Sequence, residues 1–188
     1  MLVFEKLEPA VHNRQQFSCG NEELDVFLKK YAAQNQRIDQ STTHVLVNTE
    51  RREEILGFIT LCSSALSIED LNPSDLGRLP RYPIPAIKIA RLAVSSRFQG
   101  NKVGSALLGH AVRSALKVRE DIGVRALIVD AKTPEVASFY TKFGFKKTKN
   151  SPLYLYLQLL NRMIQVYDPP FYLDQSEYVY LWQQYYYS

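Results

Sequence analysis

The stretch Ile89–Leu108, IARLAVSSRFQGNKVGSALL, constrains this chain more than any other segment. An apolar strand pattern ends at Val94. A short polar stretch with Gly100 and Gly104 follows, and a helical period then begins with Ala106, Leu107, Ala111 and Leu116. Glycine lets a ligand approach the backbone closely. The start of a helix presents unpaired N–H groups at the positive end of its dipole. A pyrophosphate fits such a place without a dedicated side chain, and Arg97 and Lys102 add cations beside it. A fold built around this unit must feed a strand through a glycine loop into a helix.

The rest of the pattern agrees with an alternating fold. Met1 to Leu7 reads as a strand. Asn21 is a helix N-cap followed by Glu22 and Glu23, with Leu24, Phe27, Leu28 and Tyr31 at helical spacing to about Gln34. Thr43 to Thr49 and Ile55 to Leu66 read as a hairpin around a charged turn, Arg51 to Glu54. Four prolines make the segment from Asn72 to Pro85 an irregular connection. Ala86 to Val94 is a strand, Gly104 to Val118 a helix and Val124 to Asp130 a buried strand. Thr133 and Pro134 open a helix that reaches Gly144, and Phe145–Lys147 and Leu153–Leu159 close the series as strands. This order predicts an α/β sandwich around a mixed sheet.

A chain of 188 residues with 46% hydrophobic and 22% charged residues is sized for one domain with its own core. Two distant cysteines, Cys19 and Cys62, make no disulfide scaffold and no metal spacing, which fits a reducing cytoplasm. The N-terminus lacks the basic and apolar regions of a signal peptide, and no run of about 18 apolar residues predicts a membrane span. His12, His44 and His110 have no metal-ligand spacing, so no metal is expected. The net charge of +4 is modest but unevenly placed. No Asp or Glu occurs from Leu76 to Arg119, where Arg78, Arg81, Lys88, Arg91, Arg97, Lys102, Arg113, Lys117 and Arg119 lie. A second acid-free stretch, Val136 to Tyr167, carries Lys142, Lys146, Lys147, Lys149 and Arg162. Such stretches are either solvated faces or sites for an anionic ligand, a phosphate-bearing cofactor or a nucleic acid.

The glycine loop resembles the acetyl-CoA-binding motif of the GNAT superfamily of N-acetyltransferases, Arg/Gln-x-x-Gly-x-Gly/Ala. Here it reads Arg97-Phe98-Gln99-Gly100-Asn101-Lys102 and continues as Val103-Gly104-Ser105, with Lys102 standing where the family has Gly or Ala. The resemblance implies a mixed, mostly antiparallel sheet with helices on both faces and a splayed central strand pair. It implies that Leu92, Ala93 and Val94 pair with the pantetheine arm of acetyl-CoA. It further assigns the cofactor to Arg97, Gln99, Gly100, Asn101, Lys102, Val103, Gly104 and Ser105, with Thr133 at the start of the late helix. The run Ala137 to Phe145, ASFYTKFGF, resembles the family's late helix and puts Tyr140 near the thioester sulfur. A phenol with a pKa near 10 is protonated at neutral pH and can supply the departing thiolate with a proton. Read without the resemblance, Tyr140 is a core aromatic of an amphipathic helix.

A narrower resemblance covers about residues 1 to 160. Phe17-Ser18-Cys19-Gly20 followed by Leu24, Asp25, Phe27 and Leu28 is similar to a signature of bacterial GNAT toxins, as are Ala90–Val94, Ile122–Leu127, Ala131–Thr133 and Ser151–Leu155. Those toxins acetylate the α-amine of aminoacyl-tRNA, stop translation, and are held inactive by a ribbon-helix-helix antitoxin. The resemblance implies an aminoacyl-tRNA substrate met by Arg78, Arg91 and Lys142, an antitoxin partner and no membrane association, and leaves a homodimer open. Two other readings stand beside it: an N-acetyltransferase of a small amine or a protein N-terminus, and an acyl-CoA-binding module without catalysis. Residues 161–188 extend beyond the matched region and hold seven of the twelve tyrosines with Phe171 and Trp182. They are expected to lie on the domain or on a partner.

Overall fold

The computed structural model describes residues 1–77 and 82–159. The extension at 161–188 and Arg78 fall outside the described residues. Seven strands hydrogen-bond in the order β1-β2-β3-β4-β5-β7-β6: β1 is Leu2–Lys6, β2 Thr42–Asn48, β3 Arg51–Leu66, β4 Ile84–Val94, β5 Ala126–Asp130, β6 Lys146–Lys147 and β7 Tyr154–Gln158. The sheet is mostly antiparallel, and helices complete an α/β architecture. The chain divides into two compact units, Met1–Cys62 with Ile89–Ala111, and Ser63–Lys88 with the chain from Val112 onward.

In the first unit β1 pairs antiparallel with β2, and β2 with β3. The expected charged turn at Arg51–Glu54 is instead the start of β3, with the turn reduced to Thr49 and Glu50. The charges are accommodated because they pair across the structure. Arg52 bonds Glu5 of β1 through Nε (2.9 Å) and Nη2 (2.8 Å), and Glu54 accepts from Arg97. The helix opened by Asn21 has the predicted cap, Asn21 Oδ1 accepting from the Leu24 N–H at 3.1 Å. It runs as α1 (Glu22–Val26), a π turn (Phe27–Tyr31) and α2 (Ala32–Arg37). The Lys29 carbonyl in the π turn accepts from Arg14 Nη1 at 3.0 Å. Leu7, Phe17, Leu28, Val45, Phe58 and Ala93 form the core of this unit, apolar residues drawn from strands and helix alike.

In the second unit β5 pairs antiparallel with β7, and β7 with β6. Leu66, Leu71, Ile84, Ala86, Ala126, Ile128 and Tyr156 make its core. The proline-rich connection contains a short helix, α3 (Pro73–Leu76), fixed by polar contacts. Asp75 accepts two bonds from Lys146 Nζ at 2.8 Å and one from the Tyr156 hydroxyl at 2.7 Å, while the Asn72 amide donates to the Tyr156 oxygen at 2.9 Å. Helix α4, Val103–Asp121, runs through both units. Helix α5, Pro134–Thr141, stops short of the expected Gly144. The Phe145 N–H turns back to the Tyr140 carbonyl, and Gly144 takes φ 79°, the left-handed C-terminal position that glycine fills without strain.

Candidate functional site

The glycine loop lies wholly in the first unit and is held from both ends. The Ser95 N–H donates to the Leu56 carbonyl and the Ser96 N–H to the Ser18 carbonyl, each at 2.9 Å. The Gln99 side-chain amide donates to the carbonyls of Cys19 (3.0 Å) and Val94 (3.1 Å). Asp25 in turn fixes the Phe17–Gly20 turn, accepting from the Cys19 N–H at 2.8 Å and from the Ser18 hydroxyl at 3.1 Å. The Phe17-Ser18-Cys19-Gly20 motif is therefore a buttress under the loop. Burial and the Asp25 carboxylate push the Cys19 thiol up to about 11, which leaves it a poor nucleophile at neutral pH.

Gly100 takes φ 82° and Lys102 φ 59°. A side chain at Gly100 would meet nothing within 4 Å, so the backbone angle and not space selects glycine there. Lys102 occupies the same left-handed region at a cost of roughly 1–2 kcal/mol for a residue with a Cβ, and its side chain is exposed. Its carbonyl accepts the first helical bond, from the Ala106 N–H at 3.0 Å. The N–H groups of Val103, Gly104 and Ser105 thus precede the first intrahelical donor and have no acceptor within α4. Together they form an open helix start, a geometry that can take an anion.

Cations around the loop are partly committed. Arg97 is exposed, bonds Glu54 Oε1 at 2.6 Å and lies over the Phe98 ring at 5.6 Å. Sequence reasoning missed Glu54 because it placed that residue in a turn. Arg91, exposed on β4, lies over the Phe27 ring at 5.2 Å and donates to the Ala90 carbonyl at 2.7 Å. Ala93 is buried, and Leu92 and Val94 are half-buried. Asn101 is exposed, its N–H turned to the Phe98 carbonyl at 3.4 Å.

Tyr140 belongs to the second unit. Thr133 caps α5, its hydroxyl accepting from the Val136 N–H at 3.4 Å, and Pro134 follows at the first helical position. Tyr140 is 4% exposed, with ring centroids 5.2 Å from Phe139 and 5.3 Å from Phe145. Burial pushes its phenol well above the ordinary tyrosine range, so it carries its proton at every physiological pH. The ring packs as a core aromatic does. Lys142, two residues further on at the end of α5, is exposed. Lys146 is committed to Asp75 and Lys88 pairs with Asp130, so neither adds a free cation to the acid-free stretches that contain them. Among the described residues no group of three or more His, Cys, Asp or Glu could hold a metal, and no helix is long and apolar enough to cross a membrane.

A strand leading through a left-handed glycine loop into an open helix start, on a mostly antiparallel sheet, suits an acyltransferase that takes its acyl group from a pyrophosphate-bearing coenzyme. The chain belongs to the GNAT acetyltransferase family, whose domain model matches residues 15–154. It is 35% identical over 141 residues to the tRNA-acetylating toxin of Mycobacterium tuberculosis (strain ATCC 25618 / H37Rv), covering 75% of this chain and 82% of the relative. Its fold matches AtaT complexed with acetyl-methionyl-tRNAfMet at a TM-score of 0.80 and 25% identity, covering 88% of this chain and 98% of that one. It also matches the fold of an AtaT tyrosine-to-phenylalanine variant bound to the C-terminus of the antitoxin AtaR and acetyl-CoA. There the TM-score is 0.75 and the identity 23%, with 89% and 99% of the two chains covered.

Proposed function

We propose that this chain is a translation-blocking toxin that transfers the acetyl group of acetyl-CoA to the α-amine of the amino acid on a charged tRNA. The observation that carries the reading is the loop from Arg97 to Ser105, whose left-handed Gly100 and Lys102 leave the N–H groups of Val103, Gly104 and Ser105 open to a pyrophosphate. The similarity to a tRNA-acetylating toxin supports the choice of substrate, as does the exposed basic character of Arg91 and Lys142.

In the reaction the pantetheine arm lies along Leu92, Ala93 and Val94. The neutral α-amine attacks the acetyl carbonyl, the C–N bond forms and the C–S bond breaks. Tyr140 gives its proton to the departing thiolate, and the proton released by the attacking nitrogen restores the phenol through solvent. No acyl-enzyme is formed, and a Cys19 thiol pushed up to about 11 is consistent with that. A tRNA substrate places the protein in the cytoplasm. A ribbon-helix-helix antitoxin would hold it inactive, and a homodimer is compatible with the reading.

Tyr140→Phe tests the mechanism. It keeps the ring against Phe139 and Phe145 and removes the proton. Turnover should fall by roughly 10²–10⁴, the usual worth of a positioned general acid, with melting temperature and coenzyme A affinity retained. Normal turnover with a stable fold would remove Tyr140 from the mechanism.

A further inference from the structure

We propose that the Arg91 guanidinium, held over the Phe27 ring, is a stacking platform for the terminal nucleobase of the acylated RNA; this rests on the substrate reading above. Arg91 immediately precedes Leu92 on β4, the first residue of the segment assigned to the pantetheine arm of acetyl-CoA. An aminoacyl ester is carried on the last nucleotide of its RNA, and that nucleotide must come this close for its amine to react.

The guanidinium is fixed in two ways. Its central carbon lies 5.2 Å from the centroid of the Phe27 ring, and its Nη1 donates to the Ala90 carbonyl at 2.7 Å. The Phe27 ring is in turn fixed from below. It stacks on Phe58 with centroids 6.2 Å apart and planes inclined by 22°, and Phe58 is fully buried with Phe17 against its edge at 5.4 Å. Phe27 also opens the π turn. π turns interrupt the regular helical ladder and recur at functional sites. A column of rings thus runs from the core to an exposed cation. Among the described residues Arg91 makes no ion pair with a carboxylate.

A phosphate needs only a charge, which a mobile lysine supplies as well. A guanidinium is planar, and one held over an aromatic ring offers a face on which a base can stack, whereas lysine has no such face. Unpaired bases of RNA are recognised by stacking on aromatic and arginine planes. Phe27 is then a positioning residue, acting through Arg91.

The test uses the full chain and two chemically acylated RNA minihelices, one ending in CCA and the other with an abasic terminal nucleotide. The wild type should show a KM about tenfold higher for the abasic RNA, within the range that loss of one stacked base produces. Arg91→Lys should show a comparably raised KM on the intact RNA and lose its sensitivity to the missing base. Phe27→Leu should shift in the same direction. Acetyl-CoA affinity should hold in both variants. An Arg91→Lys variant with wild-type KM and undiminished sensitivity to the base would overturn the platform and leave Arg91 a phosphate contact. Equal wild-type KM for the two RNAs would also overturn it. Failure of the wild type to acetylate either acylated RNA would contradict the substrate reading itself, and the platform with it.

Discussion

Gly57 lies so close to Ala93 that a Cβ built on it would stand 3.0 Å from the Ala93 carbonyl oxygen. The same Cβ would meet Leu107 Cδ1 at 2.9 Å and Val103 Cγ1 at 3.0 Å. Close approach of β3 to β4 and α4 therefore requires glycine, although no left-handed angle is involved. Gly57→Ala should destabilise the protein by about 1–3 kcal/mol through overpacking. Because the displaced carbonyl belongs to the segment assigned to the pantetheine arm, acetyl-CoA binding should weaken as well. Chemical denaturation and calorimetry on one preparation check both effects.

Gly100 and Lys102 make the opposite argument, since their angles matter and space does not. Lys102→Gly should raise stability by about 1 kcal/mol by relieving left-handed strain, while Lys102→Ala should bring no such gain. Gly100→Ala should lose about 1 kcal/mol for the same reason. Gly100→Asp should in addition weaken coenzyme A binding by about 2 kcal/mol or more, by placing a carboxylate against the pyrophosphate. Thermal melts with and without coenzyme A separate strain from ligand binding.

Asp75 predicts an acid limb of stability. Burial alone would raise its carboxyl, but the hydrogen bonds from Lys146 and Tyr156 and the Lys146 charge outweigh that and hold it below the usual range. A carboxyl lowered in the folded state stabilises the protein above its unfolded pKa of about 3.9. That contribution is lost as pH falls through the folded value. Asp75→Asn should flatten this limb in urea titrations between neutral and acid pH. Asp75→Ala should cost about 1–2 kcal/mol at pH 7, because it leaves the buried Tyr156 hydroxyl without its acceptor.

Tyr140 predicts an alkaline limit on rate. Its phenol acts while protonated, and burial raises its pKa. The wild-type rate should therefore hold through a pH of about 10, where an ordinary tyrosine would already have ionised, and fall only above it. A fall in rate centred at or below the ordinary tyrosine value, absent from Tyr140→Phe, would show that burial does not protect the acid.

The strands, the capped helices and the glycine loop were legible because each has a local cause. Asn21 and Thr133 cap through their own side chains, and the apolar periods follow the strand and helix repeats. The Arg51–Glu54 segment was misread because four consecutive charges look like a turn. Pairing of Arg52 with Glu5 and of Glu54 with Arg97, across 47 and 43 residues, is invisible locally. The π turn at Phe27–Tyr31, the Lys146–Asp75 contact and the Lys88–Asp130 pair escaped for the same reason. Each depends on tertiary partners, and their effect is to remove Lys88 and Lys146 from the cations available to an anionic substrate. The family glycine replaced by Lys102 was visible, but only the structure shows that lysine keeps the left-handed angle.

The central claim is settled most directly by incubating the purified chain with labelled acetyl-CoA and total tRNA, charged in one arm and deacylated in the other. The account predicts label on charged tRNA alone, released by mild base as an N-acetyl amino acid, with Tyr140→Phe slower by roughly 10²–10⁴. Label that appears equally on deacylated tRNA, or goes only to free amines or protein, would contradict it.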